Sequence, residues 1–159
     1  MTDTIFTDEQ GMQEALLLAA EAAARGDVPV GAVCVFDGRV VGRGANRREA
    51  DGDPTAHAEI LAIRQATQQV AQGWRLDGVT LYVTQEPCPM CAGAIINARI
   101  SRVVFGCRNP KAGAARSLYQ LLDDPRLNHR AAITEGILAT ECAQALTAFF
   151  ANLRANGEK

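Results

Sequence analysis

The amino-acid sequence predicts a single layered α/β domain, residues 1–159, with a largely covered sheet. Apolar residues recur at helical spacing in several stretches, and short runs rich in Val and other β-forming residues lie between them. This alternation is typical of layered α/β proteins. The chain is 48% hydrophobic and 21% charged, which is the composition of a globular protein and excludes a disordered or fibrous one.

The first half of the chain contains a helix, a hairpin, a loop and a second helix. An apolar stripe predicts the first helix over residues 8–25. An Asp-Gly turn between two β-rich runs predicts a hairpin over residues 28–42. A polar loop is expected over residues 45–54, and Thr55 is placed to cap a helix over residues 56–70.

The second half begins with a strand at residues 79–84. Pro87 is expected to open a second, short helix, because proline at a first helical position loses no hydrogen bond. Residues 102–106 predict another strand, and residues 114–122 predict a helix. Residues 140–154 predict a final amphipathic helix.

Export and membrane insertion are not expected. Residues 1–10 carry three acidic side chains and no Lys or Arg, the wrong charge for a signal or transit peptide. The apolar stretches of the first helix fall far short of the roughly 20 residues that span a bilayer. We therefore expect a cytoplasmic protein without membrane contact.

Cysteine usage points to metal or redox chemistry. The chain has five cysteines, an odd number, so they cannot all be paired in disulfides. Cys34, Cys107 and Cys142 lie among apolar neighbours and are expected to be small buried side chains. Cys88 and Cys91 have the C-x-x-C spacing, which without an export signal favours metal or redox chemistry over a bridge.

The charge is unevenly distributed along the chain. The formal net charge is −2, which by itself argues against a nucleic-acid-binding protein. Residues 91–130, however, contain seven Lys or Arg and two Asp, a local net charge of +5. Such a segment can bind phosphates, or it can simply be a solvated Arg-rich face.

Two short motifs carry the candidate chemistry, and each lies at the start of a predicted helix. His57 and Glu59 lie in the first motif, and Cys88 and Cys91 in the second. The two cysteines are three residues apart, so their sulfur atoms share one side of a first helical turn. If the two helix N-termini meet, their positive ends stabilise thiolates and a metal-activated water between them.

The number of ligands decides what such a site can do. One His and two Cys give zinc three ligands, and a catalytic zinc keeps its fourth position for water. Glu59 is then a spare carboxylate that can shuttle protons from this water to a ring substrate, as hydrolytic deamination requires. H-x-E followed by P-C-x-x-C is the signature of zinc deaminases. A structural zinc with Cys107 or His129 as fourth ligand, and a redox dithiol, remain open as alternatives.

Further motifs extend over most of the chain. They include VPVGAV at residues 28–33, PTAHAEI at 54–60, EPCPMCAGAI at 86–95 and the NHR and TEGIL segments within residues 111–150. On these residues the chain resembles the bacterial tRNA-specific adenosine deaminases. The zinc motif alone fits any cytidine, guanine or adenosine deaminase, whereas the tract 111–150 resembles the tRNA enzymes.

This resemblance implies a three-layer α/β/α fold of the cytidine-deaminase type, with a roughly five-stranded mixed sheet, and a homodimer. It implies conversion of adenosine to inosine at the wobble position of a tRNA anticodon stem-loop. It assigns one zinc ion to His57, Cys88 and Cys91, and the proton shuttle to Glu59. The substrate-binding residues that it implies are Val28, Asn46, Arg108, Asn109, Lys111 and Phe149.

Two positions depart from the family pattern. Asn109 stands where many members carry Asp, and Arg116 stands where Gly is frequent. An Asp beside a nucleotide backbone accepts from a ribose 2′-OH and repels phosphate, whereas Asn keeps an acceptor without the charge. The exchange at Asn109 is either drift in a tolerant loop or a sign of relaxed discrimination between RNA and single-stranded DNA.

Two other function classes are distinguishable from the sequence. One is a guanine- or cytosine-type deaminase of a small substrate, and the other is a structural-zinc binding module. A small substrate needs neither the basic segment nor an Arg-bearing last helix, and a structural site has no use for Glu59. The sequence therefore favours the tRNA enzyme.

Overall fold

The structure, a computed structural model, describes residues 4, 5 and 7–157. The helices are α1 (Asp8–Ala24), α2 (Arg48–Asp51), α3 (Ala58–Gln69), α4 (Pro89–Ala98) and α5 (Ala139–Ala155). The strands are β1 (Gly31–Phe36), β2 (Arg39–Ala45), β3 (Thr80–Gln85), β4 (Arg102–Cys107) and β5 (Ala132–Glu135). Within the described part of the chain, no helix combines the length and apolarity needed to cross a bilayer.

The five strands form one mixed sheet in the order β2-β1-β3-β4-β5. β1 pairs antiparallel with β2 and with β3, whereas β3, β4 and β5 run parallel. The carboxyl ends of the parallel strands therefore lie at one end of the sheet, which is where α/β sheets place their ligands. The five-stranded mixed sheet expected from the sequence is confirmed.

Helices cover both faces of this sheet. Ala32 and Cys34 of β1 belong to a core shared with α3 and α4, whereas Val33 and Val35 belong to a core shared with α1 and α5. Successive strand residues point to opposite faces, so the two cores lie on the two sides of the sheet. The predicted three-layer α/β/α architecture is confirmed.

Small residues let α3 lie directly on the sheet. A Cβ atom at Gly42 would overlap the carbonyl oxygen of Ala62, and one at Gly44 would overlap that of Ala58. Ala58, Ala62 and Ala66 are fully buried on the facing side of the helix. A larger side chain at either glycine would push α3 off β2 and displace its first turn, which carries the H-x-E motif.

The confirmed helices and strands lie within three residues of their expected bounds. The two helices that carry the motifs both begin two residues later than predicted. α3 begins at Ala58 and not after a Thr55 cap, because the Thr55 N–H and hydroxyl both bond to the Asp53 carboxylate. α4 begins at Pro89 rather than Pro87. In each helix the N-cap position falls to a predicted metal ligand.

Three further segments differ from the sequence prediction. Residues 114–122 form turns and not a helix, because three of their backbone N–H groups donate to a buried carboxylate. The short helix α2 lies inside the predicted loop 45–54. β5 has no sequence signal, since it has four residues and none is fully buried.

Candidate active site

The N-terminal ends of α3 and α4 meet at three potential metal ligands. His57 is the N-cap residue of α3 and Cys88 that of α4, and neither side chain bonds to its own helix. The Nδ1 atom of His57 lies 3.6 Å from Cys88 Sγ and 3.5 Å from Cys91 Sγ. The structure thus brings together the three side chains that the sequence motifs single out.

Their spacing fits a metal ion. Zn–S bonds of about 2.3 Å and Zn–N bonds of about 2.0 Å place sulfur and nitrogen about 3.5 Å apart in a tetrahedral site. The observed distances of 3.5 and 3.6 Å match this separation. Among the residues that the structure describes, these three form the only His, Cys, Asp or Glu group close enough to share an ion.

The two thiols differ in acidity. The hydrogen bond from Cys91 lowers the pKa of Cys88 to about 4, and the same contact raises the pKa of Cys91. A thiolate at Cys88 also gains from the positive N-terminal end of α4. One anionic sulfur is therefore ready to bind a cation, and the cation would stabilise the second thiolate.

A fourth protein ligand is absent from the described residues around this group. His129 Nε2 lies 2.7 Å from the carbonyl oxygen of Ile100, and Cys107 Sγ lies 3.5 Å from that of Thr84. Both candidates for a structural zinc site are thus engaged elsewhere. The arrangement supports a three-ligand site.

Two glutamates line the same cavity with opposite acid–base character. Burial raises the pKa of Glu59, which is 4% exposed, to about 7. Burial also disfavours the ionised form of Glu86, but hydrogen bonds from Ser117 and from backbone N–H groups outweigh it and lower the pKa of Glu86 to about 2. Glu59 can therefore exchange a proton near neutral pH, whereas Glu86 stays ionised.

The cavity has a volume of about 230 Å³ and opens beside the ligand group. Its lining includes His57, Glu59, Cys88, Val28, Asn46 and Asn109. Three of the predicted substrate-binding residues, Val28, Asn46 and Asn109, thus share one cavity with two of the ligands and with Glu59.

The side-chain amide of Asn46 uses part of its hydrogen-bonding capacity for neighbouring backbone groups. Its Nδ2 atom donates to the carbonyl oxygen of Val28 (3.1 Å), and its Oδ1 atom accepts from the backbone N–H of Arg48 (3.1 Å). One N–H and one lone pair of the amide remain for a ligand. Arg48 is exposed and also lines the cavity, and no motif points to it within the polar loop.

A buried carboxylate holds this side of the cavity in place. Asp27 is fully buried and accepts from the backbone N–H groups of Glu49 (2.6 Å) and Ala50 (3.1 Å). These groups belong to α2, a helix too short to be stable by itself. Asp27 thereby fixes the loop that carries Asn46 and Arg48.

A second cavity, of about 450 Å³, adjoins the first and forms a groove between α5 and the segment after β4. Its lining includes Val28, Arg108, Asn109, Lys111, Leu146 and Phe150. Phe149 lines neither cavity and instead packs edge-on against Phe150, with ring centroids 5.5 Å apart. The α5 aromatic side chain at the groove is therefore Phe150, one residue beyond the expected position.

The basic segment 91–130 is partly neutralised in space. Arg108 forms a two-pronged ion pair with Glu135, at 2.8 and 3.1 Å, and Arg102 pairs with Asp8 at 2.7 Å. Both partners lie outside the segment, so counting charges along the chain misses them. Lys111 is exposed and forms no ion pair with any residue that the structure describes. It is the cation of this segment that remains open to a phosphate at the groove.

The fold and the ligand group together place the chain in the class of deaminases with the cytidine-deaminase-like fold. The profile of the MafB19-like deaminase family matches residues 6–154. The tRNA-specific adenosine deaminase of Bacillus subtilis is 47% identical, covering 92% of this chain and 91% of the relative. That of Haemophilus influenzae is 49% identical, covering 92% and 85%. The chain therefore belongs to the deaminase family that these tRNA-specific enzymes represent.

Solved structures show the same relationship. One from a study of A-to-I editing by tRNA:A34 deaminases at the wobble position is 44% identical, with a TM-score of 0.81, covering 86% of this chain and 98% of that one. The guanine deaminase of Bacillus subtilis is 40% identical, with a TM-score of 0.61, covering 65% and 66%. The tRNA-editing structure is thus more similar in both sequence and shape.

Proposed function

We propose that this protein is a zinc-dependent hydrolase that converts adenosine to inosine at the wobble position of a tRNA anticodon. The observation that carries the proposal is a three-ligand group that shares one cavity with the buried carboxyl of Glu59. Structural zinc sites use four protein ligands, so three ligands beside a cavity favour a catalytic site. The tRNA-specific names of relatives at 47% and 49% identity support the substrate.

In this proposal three residues bind the metal and a fourth transfers protons. His57, Cys88 and Cys91 would hold a zinc ion, which would supply an activated water. Glu59 would accept one proton from that water and deliver it to the ring nitrogen. It would then take the proton of the hydroxyl group added to the ring carbon and deliver it to the amine, which leaves as ammonia. Its pKa of about 7 suits a group that must both take and give a proton.

The groove supports a polynucleotide substrate. A single flipped nucleoside occupies the cavity, where Val28 and Asn46 contact it, and neighbouring nucleotides continue along the groove. Lys111 meets their phosphates, with Arg48 at the cavity. Phe150 is the aromatic side chain that we place against a base, since it lines the groove.

Substrate turnover tests this proposal against a small-substrate deaminase. The zinc-loaded protein is incubated with an anticodon stem-loop carrying adenosine at the wobble position, and separately with free adenosine, cytidine and guanine. Inosine is measured by mass spectrometry and released ammonia by a coupled assay. We expect turnover of the stem-loop and none of the free compounds. Deamination of guanine or cytidine, with the stem-loop unchanged, would contradict the proposal.

We also propose that the chain deaminates adenine in single-stranded DNA, because a neutral amide stands at Asn109 beside both cavities. The Oδ1 atom of Asn109 accepts from the backbone N–H of Ala112 at 3.2 Å. Aspartate accepts the same bond, so Asn109→Asp changes the charge and leaves the turn intact. We expect single-turnover rates on a DNA hairpin to fall in this variant while those on the matched RNA hairpin are kept. An RNA-to-DNA rate ratio unchanged within about twofold would make Asn109 irrelevant to selectivity.

We also propose a homodimer whose interface includes two exposed apolar side chains, Leu118 and Tyr119. Leu118 and Tyr119 are 54% and 53% exposed and border the same surface hollow. Contiguous exposed apolar groups of this kind favour a second copy of the chain. Sedimentation should report a dimer, and Tyr119→Glu should give a monomer. Leu17→Glu, at a 64% exposed position on α1, is the matched control and should leave the dimer intact.

A single domain and a cytoplasmic location complete the proposal. One sheet contains all five strands, which supports unfolding of the whole chain in one transition, as calorimetry can test. A cytoplasmic enzyme meets tRNA where it is used. Cell fractionation with an antibody to the chain should find it with the tRNA pool, and recovery with the membrane fraction would contradict this location.

A further inference from the structure

We propose that Glu86 is a positioning residue that holds residues 109–117, here called the cavity loop, in the shape that binds the substrate. The proposal deepens the function proposed above, and its kinetic consequences rest on that function. Asn109 and Ala112 of the cavity loop line the substrate cavity, and Lys111 lines the adjoining groove. Whatever orders this loop therefore sets one wall of the binding site.

The carboxylate of Glu86 is the acceptor for donors at both ends of the cavity loop. Its Oε1 atom accepts from the backbone N–H of Asn109 at 3.0 Å, and from the hydroxyl of Ser117. Its Oε2 atom accepts from the backbone N–H groups of Ala115 (3.0 Å), Arg116 (2.6 Å) and Ser117 (2.8 Å). Five donors from one loop thus converge on a single side chain that is 2% exposed.

These bonds leave Glu86 no capacity for another partner. An ionised carboxylate has about four lone-pair positions, and the five donors of the cavity loop fill them. Glu86 is also not a member of the His57, Cys88 and Cys91 group. Glu86 lies in the wall of the substrate cavity, but with its lone pairs filled it acts through the loop, and it is not one of the three candidate metal ligands.

Besides the bonds to Glu86, the cavity loop is held by the bond from Gly113 N–H to the carbonyl oxygen of Asn109, by that from Ala112 N–H to Asn109 Oδ1, and by the buried side chains of Ala114 and Ala115. It consists of turns without helix or strand, so its backbone N–H groups depend on acceptors outside regular structure. One such acceptor is the carbonyl oxygen of Pro87, which bonds to Ala114 at 2.8 Å. Gly113 lies against the Glu86 carboxylate so closely that an added Cβ atom would overlap it.

The position of Glu86 also links the loop to the ligand group. Its own N–H donates to the carbonyl oxygen of Cys107 (2.9 Å), at the end of β4, and Cys88 follows two residues later at the start of α4. One short segment after β3 thus carries both a metal ligand and the anchor of the cavity wall. Glu86 thereby fixes the distance between the candidate ligand Cys88 and the cavity loop that is proposed to hold the substrate.

Steady-state kinetics and hydrogen exchange of Glu86→Gln test the proposal. Glutamine keeps the shape but turns an NH₂ group towards N–H donors and removes the charge that they share. We expect the KM for the stem-loop to rise about tenfold, as loss of charge-assisted hydrogen bonds predicts, with kcat within about twofold. Zinc should stay at one ion per chain, and amide exchange in residues 109–117 should become faster. All assays are run well below each variant's Tm.

Asp123→Asn is the matched control. Asp123 pairs with Arg116 at 3.2 Å on the partly exposed side of the same loop, and removing its charge should leave KM and exchange unchanged. Gly113→Ala perturbs the carboxylate without altering charge and should also raise KM. Ser117→Ala removes one of the five donors and should raise it less. These two variants decide the question if Glu86→Gln does not fold.

Three results would overturn the proposal. They are an unchanged KM despite faster exchange, an unchanged exchange pattern, and a loss of zinc or kcat with KM retained, which would assign Glu86 to the metal centre. If the unaltered protein does not deaminate the stem-loop, the proposed function fails. Hydrogen exchange still decides, independently of turnover, whether Glu86 orders the loop.

Discussion

The two sides of the cavity are built in different ways. The proposed metal side consists of the first turns of α3 and α4, and α3 lies on the sheet at glycines and alanines that allow direct backbone contact. The substrate side consists of loops, and a buried carboxylate holds each one: Asp27 for α2 and Glu86 for the cavity loop. Packing of helices on the sheet thus positions the candidate metal ligands. Loops that are each bonded to one buried carboxylate position the residues proposed to contact the substrate. A chain built this way can change its substrate contacts without rebuilding its metal centre.

The grouping of His57, Cys88 and Cys91 is the part of the site that the sequence predicts well. These proposed ligands lie in two local motifs, and helix geometry alone brings Cys88 and Cys91 to one side of a turn. Glu59 is recognisable because a spare carboxylate beside three ligands has a chemical use. What the sequence misplaces is the start of each helix, and at α3 the reason is that the Asp53 carboxylate competes for Thr55.

The substrate side is poorly predictable because its contacts are distant along the chain. Glu86 and Ser117 are 31 residues apart, and the bonds between them override the helical pattern of residues 114–122. Arg48 has no motif to mark it, and of the two neighbouring phenylalanines of α5 the sequence prediction chose Phe149 and not Phe150. The excess of arginines in residues 91–130 suggests a basic surface, but partners such as Glu135 neutralise part of it in space.

The largest effect expected on the metal side is that of Cys91→Ala. Loss of one of three ligands should abolish both zinc binding and turnover, because a preformed site with two ligands holds zinc weakly. Metal content by atomic absorption and inosine by mass spectrometry measure the two losses. Cys34→Ala is the matched control, since Cys34 is a buried free thiol outside the group, and it should keep both. A fully active, zinc-free Cys91→Ala protein would contradict the assignment of Cys91 as a ligand of a catalytic zinc ion.

An intermediate effect is expected on the substrate side for Arg48→Ala. Removing this cation should raise the KM for the stem-loop about tenfold and reduce the slope of affinity against salt by about one ion, with kcat retained. Binding titrations at several salt concentrations measure the slope. Arg64→Ala, at an exposed position of α3, is the control and should change neither value. An unaltered slope in Arg48→Ala would remove Arg48 from the interface.

The smallest expected effect is on stability and concerns an ion pair that lies outside the cavity. The Arg102 guanidinium bonds to both oxygens of Asp8, at 2.8 and 2.7 Å, and lowers the pKa of that carboxyl. Asp8→Asn should reduce the free energy of unfolding at pH 7 by roughly 1–2 kcal/mol and leave kcat and KM unchanged.

The pH dependence of this difference follows from the direction of the shift. Stabilisation by Asp8 is fully present above the ordinary pKa of an aspartate and is lost as the pH falls through the lowered pKa, where the folded protein also binds the proton. Denaturant unfolding at a series of pH values should therefore show the gap between the two proteins closing in acid. Asp77→Asn breaks an exposed pair with Arg75 and should show no gap at any pH. A gap for Asp8→Asn that persists in acid would show that its charge is not the cause.

The most direct test of the division between chemistry and recognition compares two Glu→Gln substitutions in one cavity. We predict that Glu59→Gln keeps one zinc per chain and an unchanged KM for the stem-loop while kcat falls by about 10²–10⁴-fold, the usual value of a general acid–base group. We predict that Glu86→Gln keeps zinc and kcat while KM rises. Steady-state kinetics on the same stem-loop at one salt concentration measures both. Equal losses of kcat in the two variants, with KM unchanged in both, would contradict the account.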